Sequence, residues 1–434
     1  MTSDQLARNI APKTVRLTES DDFDTLLERI GDAHYVLLGE ASHGTSEYYT
    51  WRARLSQRLI AEKGFSFVAV EGDWPACYEV NRMVKGYDDR SPRETLQAFH
   101  RWPTWMWANW EVVAFTTWLK QFNDGLDDNA KVGFYGLDVY SLWDSLAEIL
   151  DYLREHDPDA LETAKQAYRC FEPYDENVHD YARATMLVPE SCEDEVVSLL
   201  SELRGKIDAY PEDHESRFSA AQNAEVAVNA ERYYRAMVQG GPESWNVRDI
   251  HMADTLGRLV QHHADLNGEA KAIVWEHNTH IGDARATSMA RAGMVNLGQL
   301  VRERNGRDDT VLVGFGGYQG SVIAGDAWGE PLRAMKVPKA QADSWEDVFY
   351  KIDADDRIVI TRDIADLEGV HEPRGHRAIG VVYNPALERF GNYVPTTLSE
   401  RYDAFIAIAN TQALHPLREV EADDAPPETY PWGV

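Results

Sequence analysis

Cysteine is scarce in this chain: three residues in 434, at Cys77, Cys170 and Cys192. None stands in a CxxC spacing and the count is odd, so neither a disulfide framework nor a zinc ribbon is expected, and reduced thiols in a cytoplasmic protein are. Long apolar runs are missing too. No stretch reaches the roughly 18 residues that a membrane-spanning helix needs, and Met1 to Lys13 lacks the apolar core of a signal peptide. Lysine is rare, with 11 among 43 basic residues against 73 Asp plus Glu, for a formal charge of −30. That balance argues against a nucleic-acid-binding surface, which needs clustered Lys and Arg, and equally against an anionic membrane. It fits a protein that stays soluble in concentrated salt, where screening removes much of the self-repulsion. There is no GxSxG elbow for a serine nucleophile, and Gly314-Phe315-Gly316-Gly317-Tyr318 has neither the GxGxxG spacing nor the lysine of a phosphate loop.

What the chain does have is enough apolar residues, 44%, for a sizeable core. The patterning predicts an α/β fold: a central mixed, mostly parallel sheet flanked by helices, with a large helical insertion or cap over the C-terminal ends of the strands. Residues 1–140 form the first part of that core, with strands at Tyr35 to Leu38, Phe65 to Val70 and Val132 to Leu137 and helices at Asp22 to Ile30 and Ser46 to Lys63. Residues 141–267 turn helical, with long helices expected over His214 to Gln239 and Asp249 to Ala264. Residues 268–418 complete the core. Strands are expected at Lys271 to Glu276, Val311 to Phe315, Arg357 to Thr361, Ala378 to Tyr383 and Ala404 to Ile408, the last two antiparallel, with a helix over Ala284 to Ala292. Residues 419–434 read as a loosely ordered acidic tail containing proline.

Four of the strands finish in acids or histidines. Tyr35-Val36-Leu37-Leu38 runs into Gly39-Glu40-Ala41-Ser42-His43-Gly44, and Ala272-Ile273-Val274-Trp275 into Glu276-His277-Asn278-Thr279-His280. The strand ending at Val70 is followed by Glu71-Gly72-Asp73, and the fourth closes on Asp138. Strand ends of this kind are where open α/β sheets place their chemistry. Two such ends meeting in one cleft gather Glu40, His43, His277 and His280. Trp102, Trp105, Trp107 and Trp110 crowd around Pro103, and Trp74, Trp105, Trp107 and Tyr318 are the candidate lining of an apolar substrate pocket.

At Gly39 to Gly44, with Arg52 and Val70-Glu71-Gly72-Asp73 beyond, the sequence resembles the erythromycin esterase family. The resemblance continues in collinear order through Asn246-Val247-Arg248-Asp249, Trp275 to His280, Gly325-Asp326-Ala327-Trp328-Gly329 and Tyr402-Asp403-Ala404-Phe405. It implies a carboxylic ester hydrolase that opens an ester or macrolactone by attack of water, without a covalent intermediate and without a cofactor. In that picture the essential histidine falls on His43, the adjacent acid on Glu40, the arginine on Arg52, the second acid on Glu71, and the paired histidines on His277 and His280. The family also covers proteins named for succinoglycan biosynthesis, so membership alone does not fix the substrate.

The chemistry of these side chains supports the same division. Taking a proton from water near neutral pH requires a base such as His43, and a carboxylate, Glu71 or Glu40, holds the ring in its useful tautomer. Arg52 and one of His277 or His280 would meet the developing oxyanion, an effect worth roughly 3 kcal/mol per donor. Two alternatives remain open at this point. Glu40, His43, Glu71, His277 and His280 are also a ligand set for a divalent metal such as zinc or manganese. A non-enzymatic binding or assembly role in polysaccharide biosynthesis would use the cleft for recognition alone. The expected partner is a small-molecule ester or lactone, with no nucleic acid and no membrane.

Overall fold

The computed structural model describes residues 1–174, 178–187, 191–206 and 214–418; the expected acidic tail lies outside the described residues. Eleven strands form among them: β1 (Thr14–Arg16), β2 (Tyr35–Leu38), β3 (Phe67–Asp73), β4 (Gly133–Asp138), β5 (Ala272–Trp275), β6 (Thr310–Ala324), β7 (Arg333–Val337), β8 (Arg357–Ile360), β9 (Arg374–Arg377), β10 (Tyr393–Thr396) and β11 (Ala404–Thr411). A nine-stranded sheet runs in the order β1-β8-β11-β6-β2-β5-β3-β4, with β7 pairing the far half of β6. From β11 to β4 every neighbouring pair is parallel. β1, β8 and β7 are antiparallel to their neighbours.

The parallel strands are apolar on both faces because both are covered. Val36, Leu38, Val70, Ile273 and Trp275 point to one side, where Leu55 and Leu59 of the helix Ser46–Lys63 and Leu119 of the helix Trp110–Asn123 meet them. Leu37, Phe67, Ala69 and Val274 point to the other, against Met252, Leu256 and Leu259 of the helix Glu243–Asn267. The first of these helices stops where expected, at Gly64, which takes the left-handed φ of 70° that a helix end favours.

The described part of 141–267 is helical and holds a core of its own around Leu146, Ile149, Leu199, Tyr233 and Tyr234. Its last helix lies against the sheet, and the first turns of that helix carry Arg248 and Asp249.

Three expectations need correction. Cys170 and Cys192 form a disulfide within the helical block, leaving only Cys77 free and buried; packing of helices, not sequence spacing, brings the pair together. Ala378 to Tyr383 forms no ladder strand. Its residues make isolated bridges, Ile379 to Ser42 and Val382 to Gly325, and the antiparallel partner of β11 is β8. Ala284 to Ala292 is two short 3-10 turns rather than a helix, because Asp283 and Thr287 tie the backbone locally.

Candidate active site

Because β2, β5, β3 and β4 are neighbours and parallel, their C-terminal ends open on the same side. Glu40, His43, Glu71, Asp138, His277 and His280 therefore converge, and all are buried. Gly39 permits part of this convergence. A Cβ there would collide with the Asn278 side-chain oxygen, which accepts the Phe315 N–H and so ties the loop after β5 to β6, while the Asn278 N–H donates to the Glu40 carbonyl in the loop after β2.

His43 lies at the centre. Its Nδ1 is 2.9 Å from Glu40 Oε1, and the other Glu40 oxygen accepts from Arg52 Nη2 at 2.6 Å. Burial alone would push the imidazole pKa down, but the charge of Glu71 and the bond and charge of Glu40 override it, so the value is raised. With Nδ1 committed to Glu40, Nε2 is the nitrogen left for the cleft that His43 lines.

His277 stands beside it, ring centroids 5.0 Å apart, in an opposite state. Its Nδ1 meets the hydroxyl of Thr279 at 2.8 Å and the Thr279 N–H, and beyond these the ring has only a weak contact with the Ala41 backbone and no carboxylate partner among the described residues. Burial and the charge on His43 hold its pKa well below the ordinary range, so it is neutral. The two histidines are not a pair of equals.

A second network backs the first. Arg248 grips Asp138 through two bonds, Nε to Oδ1 at 3.0 Å and Nη2 to Oδ2 at 2.7 Å, and Nη2 also reaches Glu71 Oε1 at 2.7 Å. The other Glu71 oxygen accepts the His277 N–H at 2.9 Å. Burial opposes the Glu71 charge, but His280, His43, Arg248 and that N–H hold its carboxyl well below the usual range. His280 is fixed between Asp249, 3.0 Å from its Nδ1, and Arg248 Nη1, 3.1 Å from its Nε2, and stacks flat on Trp245 at 4.5 Å. Glu276 is fully buried with no partner for either oxygen among the described residues; burial and the charges of Glu71 and Asp249 push its carboxyl up, so it is a neutral acid.

The cleft has a cavity volume of about 80 Å³, or about 650 Å³ of empty space when its open mouth is counted, and is bounded by His43, Glu71, Asp73, Arg101, Asp138 and Arg248 on its polar side. Phe99, Trp102, Met106, Trp107, Trp328 and Val381 form the apolar side, with Trp102 and Trp328 4.6 Å apart. Of the expected lining residues, Trp107 is present, donating to the Glu71 carbonyl at 3.0 Å. Gly72 leaves it room, since a Cβ would strike its indole nitrogen. Trp105 is buried and off the cleft lining. Trp74 is stacked on Tyr135 in the core beneath the helical block, and Tyr318 stacks on Tyr350 at 3.7 Å; neither borders the cleft. Arg52 is fully buried behind Glu40, over the rings of Tyr49 and Trp275, and does not border it either. Glu40, His277 and His280 likewise stand behind the lining.

Arg248, Asp249 and Asp138 carry no role that local sequence predicts, although Asp138 closes a strand and Arg248-Asp249 lies in one of the motifs that carry the family resemblance. Trp102 stands in sequence only as one of a tryptophan cluster and Trp328 as one residue of a glycine-flanked motif; their place on the cleft comes from packing. Ser42, next to His43, bonds Thr45 rather than any histidine, so no serine nucleophile is formed there.

Among the described residues no group of three or more His, Cys, Asp and Glu side chains is arranged to hold a metal ion. Oxygens of both carboxylates in the alternative ligand set are already bound by guanidinium groups, Glu40 by Arg52 and Glu71 by Arg248.

Residues 60–411 match the model of the erythromycin esterase family. The chain belongs to the erythromycin esterase family. The match begins after Glu40, His43 and Arg52, which stand in the stretch before it. Over 324 residues the chain is 25% identical to erythromycin esterase type II of Escherichia coli, covering 70% of this chain and 74% of that one. Among solved structures, a succinoglycan biosynthesis protein superposes with a TM-score of 0.76 at 23% identity, covering 95% of this chain and 98% of that chain. A Bacillus cereus protein gives a TM-score of 0.79 at 19% identity, with 96% and 99% covered. A histidine-to-asparagine mutant of the erythromycin esterase EreC, in its open conformation, gives 0.66 at 17% identity, with 92% and 97% covered. At these identities the structural likenesses speak to the fold alone. No described helix is long and apolar enough to cross a membrane.

Proposed function

We propose that this member of the erythromycin esterase family hydrolyses an ester or macrolactone of a large, apolar substrate by His43-activated water, with no metal and no covalent intermediate. The observation that carries the reading is His43 itself: a buried imidazole on the cleft, oriented by Glu40 and made more basic by Glu71 and Glu40. The tryptophan-rich side of the cleft supports an apolar substrate body.

In the reaction, a water oxygen bonds to the carbonyl carbon while its proton passes to His43 Nε2. The carbonyl π pair moves onto oxygen. Collapse of that tetrahedral species reforms the carbonyl and breaks the bond to the alcohol, which takes the proton back from His43. Glu40 keeps Nδ1–H pointed away from the cleft and stabilises the imidazolium during the step, as a buried carboxylate does in hydrolytic triads.

The test is hydrolysis of an aryl-ester panel and a 14-membered macrolide by chelator-treated wild type and His43→Ala. Activity that survives chelation and disappears in the variant is expected. Activity lost on chelation and restored by added metal would overturn the metal-free reading, and equal activity in both proteins would overturn the role of His43.

A further inference from the structure

We infer that Arg248 is a further catalytic residue, donating an N–H to the oxyanion formed when water adds to the substrate carbonyl; the inference rests on the hydrolytic reading above. Arg52 is the arginine that sequence resemblance offers for such a task, but it is fully buried behind Glu40 and does not border the cleft. Arg248 does border it, with His43.

A guanidinium has five N–H groups. Three bonds commit three of them here, Nε and Nη2 to Asp138 and Nη2 to Glu71, and Nη1 lies 3.1 Å from His280 Nε2, which can take at most one more. At least one N–H on Nη1 is therefore left without a partner among the described residues, and it belongs to a cleft-lining side chain. The rest of the group is immobilised. Asp138 holds it by a fork from the end of β4, Glu71 from β3, His280 from the loop after β5, and the Tyr140 ring lies 4.9 Å from its centre. A donor fixed in advance in a buried site costs no reorganisation when the charge appears, which is the condition for stabilising a transition state rather than a ground state. Because Glu71 and Asp138 offset the charge of Arg248, its effect on the oxyanion is a short directional bond, not a long-range pull.

The inference is tested with Arg248→Lys and Arg248→Ala on an aryl ester, alongside His43→Ala, with folding checked by circular dichroism. Both Arg248 variants should lose about 100-fold in kcat, as expected for loss of one oxyanion donor, with KM nearly unchanged. Added guanidinium ion should restore part of the activity of Arg248→Ala. An aryl phosphonate, whose tetrahedral oxygens imitate the oxyanion, should bind Arg248→Lys much more weakly than wild type, while the substrate amide binds both alike. Arg248→Lys keeps a cation against Asp138 and serves if Arg248→Ala does not fold. If kcat survives in the Arg248 variants while His43→Ala is inactive, the inference fails and the hydrolytic reading stands. If His43→Ala remains active the role of His43 as the base fails, and phosphonate affinity then decides alone: equal affinity in wild type and Arg248→Lys overturns the assignment.

Discussion

His43 and His277 differ in almost nothing that sequence records. Each follows the end of a parallel strand of the same sheet, each is buried, and the rings are 5.0 Å apart. Burial pushes both pKa values down. Yet His43 ends above the ordinary value of 6.5 and His277 far below it. The charge of Glu71 raises both, so the difference lies in what Nδ1 meets: a carboxylate for His43, a hydroxyl and a backbone N–H for His277. Once one ring holds a proton, its charge helps to keep the neighbour neutral. A buried histidine is thus made a base or a neutral support by its partner, not by its depth.

The largest break in this comparison is removal of the base. His43→Ala should lower kcat/KM by about 1,000-fold or more, in the range of general-base catalysis, while His277→Asn should retain measurable turnover in the same ester assay. Next, Glu40→Gln should make His43 resemble His277. His43 works as a base only when unprotonated, so wild-type kcat/KM should rise with pH through a value above 6.5. In Glu40→Gln that limb should move to lower pH and the plateau should fall about 100-fold; a pH–rate profile of both proteins reads the shift.

Stability sharpens the comparison further. Gly39→Ala drives a methyl into the Asn278 side chain that ties the loop after β5 to β6, and should cost about 1–3 kcal/mol by denaturant unfolding. The pH dependence has opposite signs at the two rings. His277 has a depressed folded pKa, so below 6.5 the unfolded chain takes up its proton first and stability falls as pH falls. His43 has a raised folded pKa, so its contribution is present below 6.5 and lost as pH rises through the folded value. Replacing His277 by Asn, which can still cap the turn that follows, should remove about 1–2 kcal/mol of the stability lost between neutral and mildly acidic pH. Thermal unfolding across that range checks it.

Much of the site was legible because apolar runs ending in acids and histidines are local signals. β2, β3, β4 and β5 carry such runs, and the parallel order followed from strands alternating with helices. What escaped was short, polar or distant. β9 (Arg-Gly-His-Arg) and β10, which contains Pro395, have no apolar alternation to read, and β7 is mostly exposed. Arg248 and Asp138 meet across 110 positions of sequence, and nothing local announces the pairing. The tryptophans near Pro103 were recognisable as a group, but which of them faces the cleft depends on packing. Gly72 makes room for Trp107, whereas Trp74 turns under the helical block to stack on Tyr135.

The central claim is that two adjacent buried histidines hold opposite protonation states, and its most direct test is a nitrogen-15 NMR titration of imidazole-labelled protein from pH 5 to 9, assigned with His43→Ala and His277→Asn. The account predicts that His43 titrates above 6.5 while His277 stays neutral across the whole range. A His277 that gains its proton before His43 would contradict it.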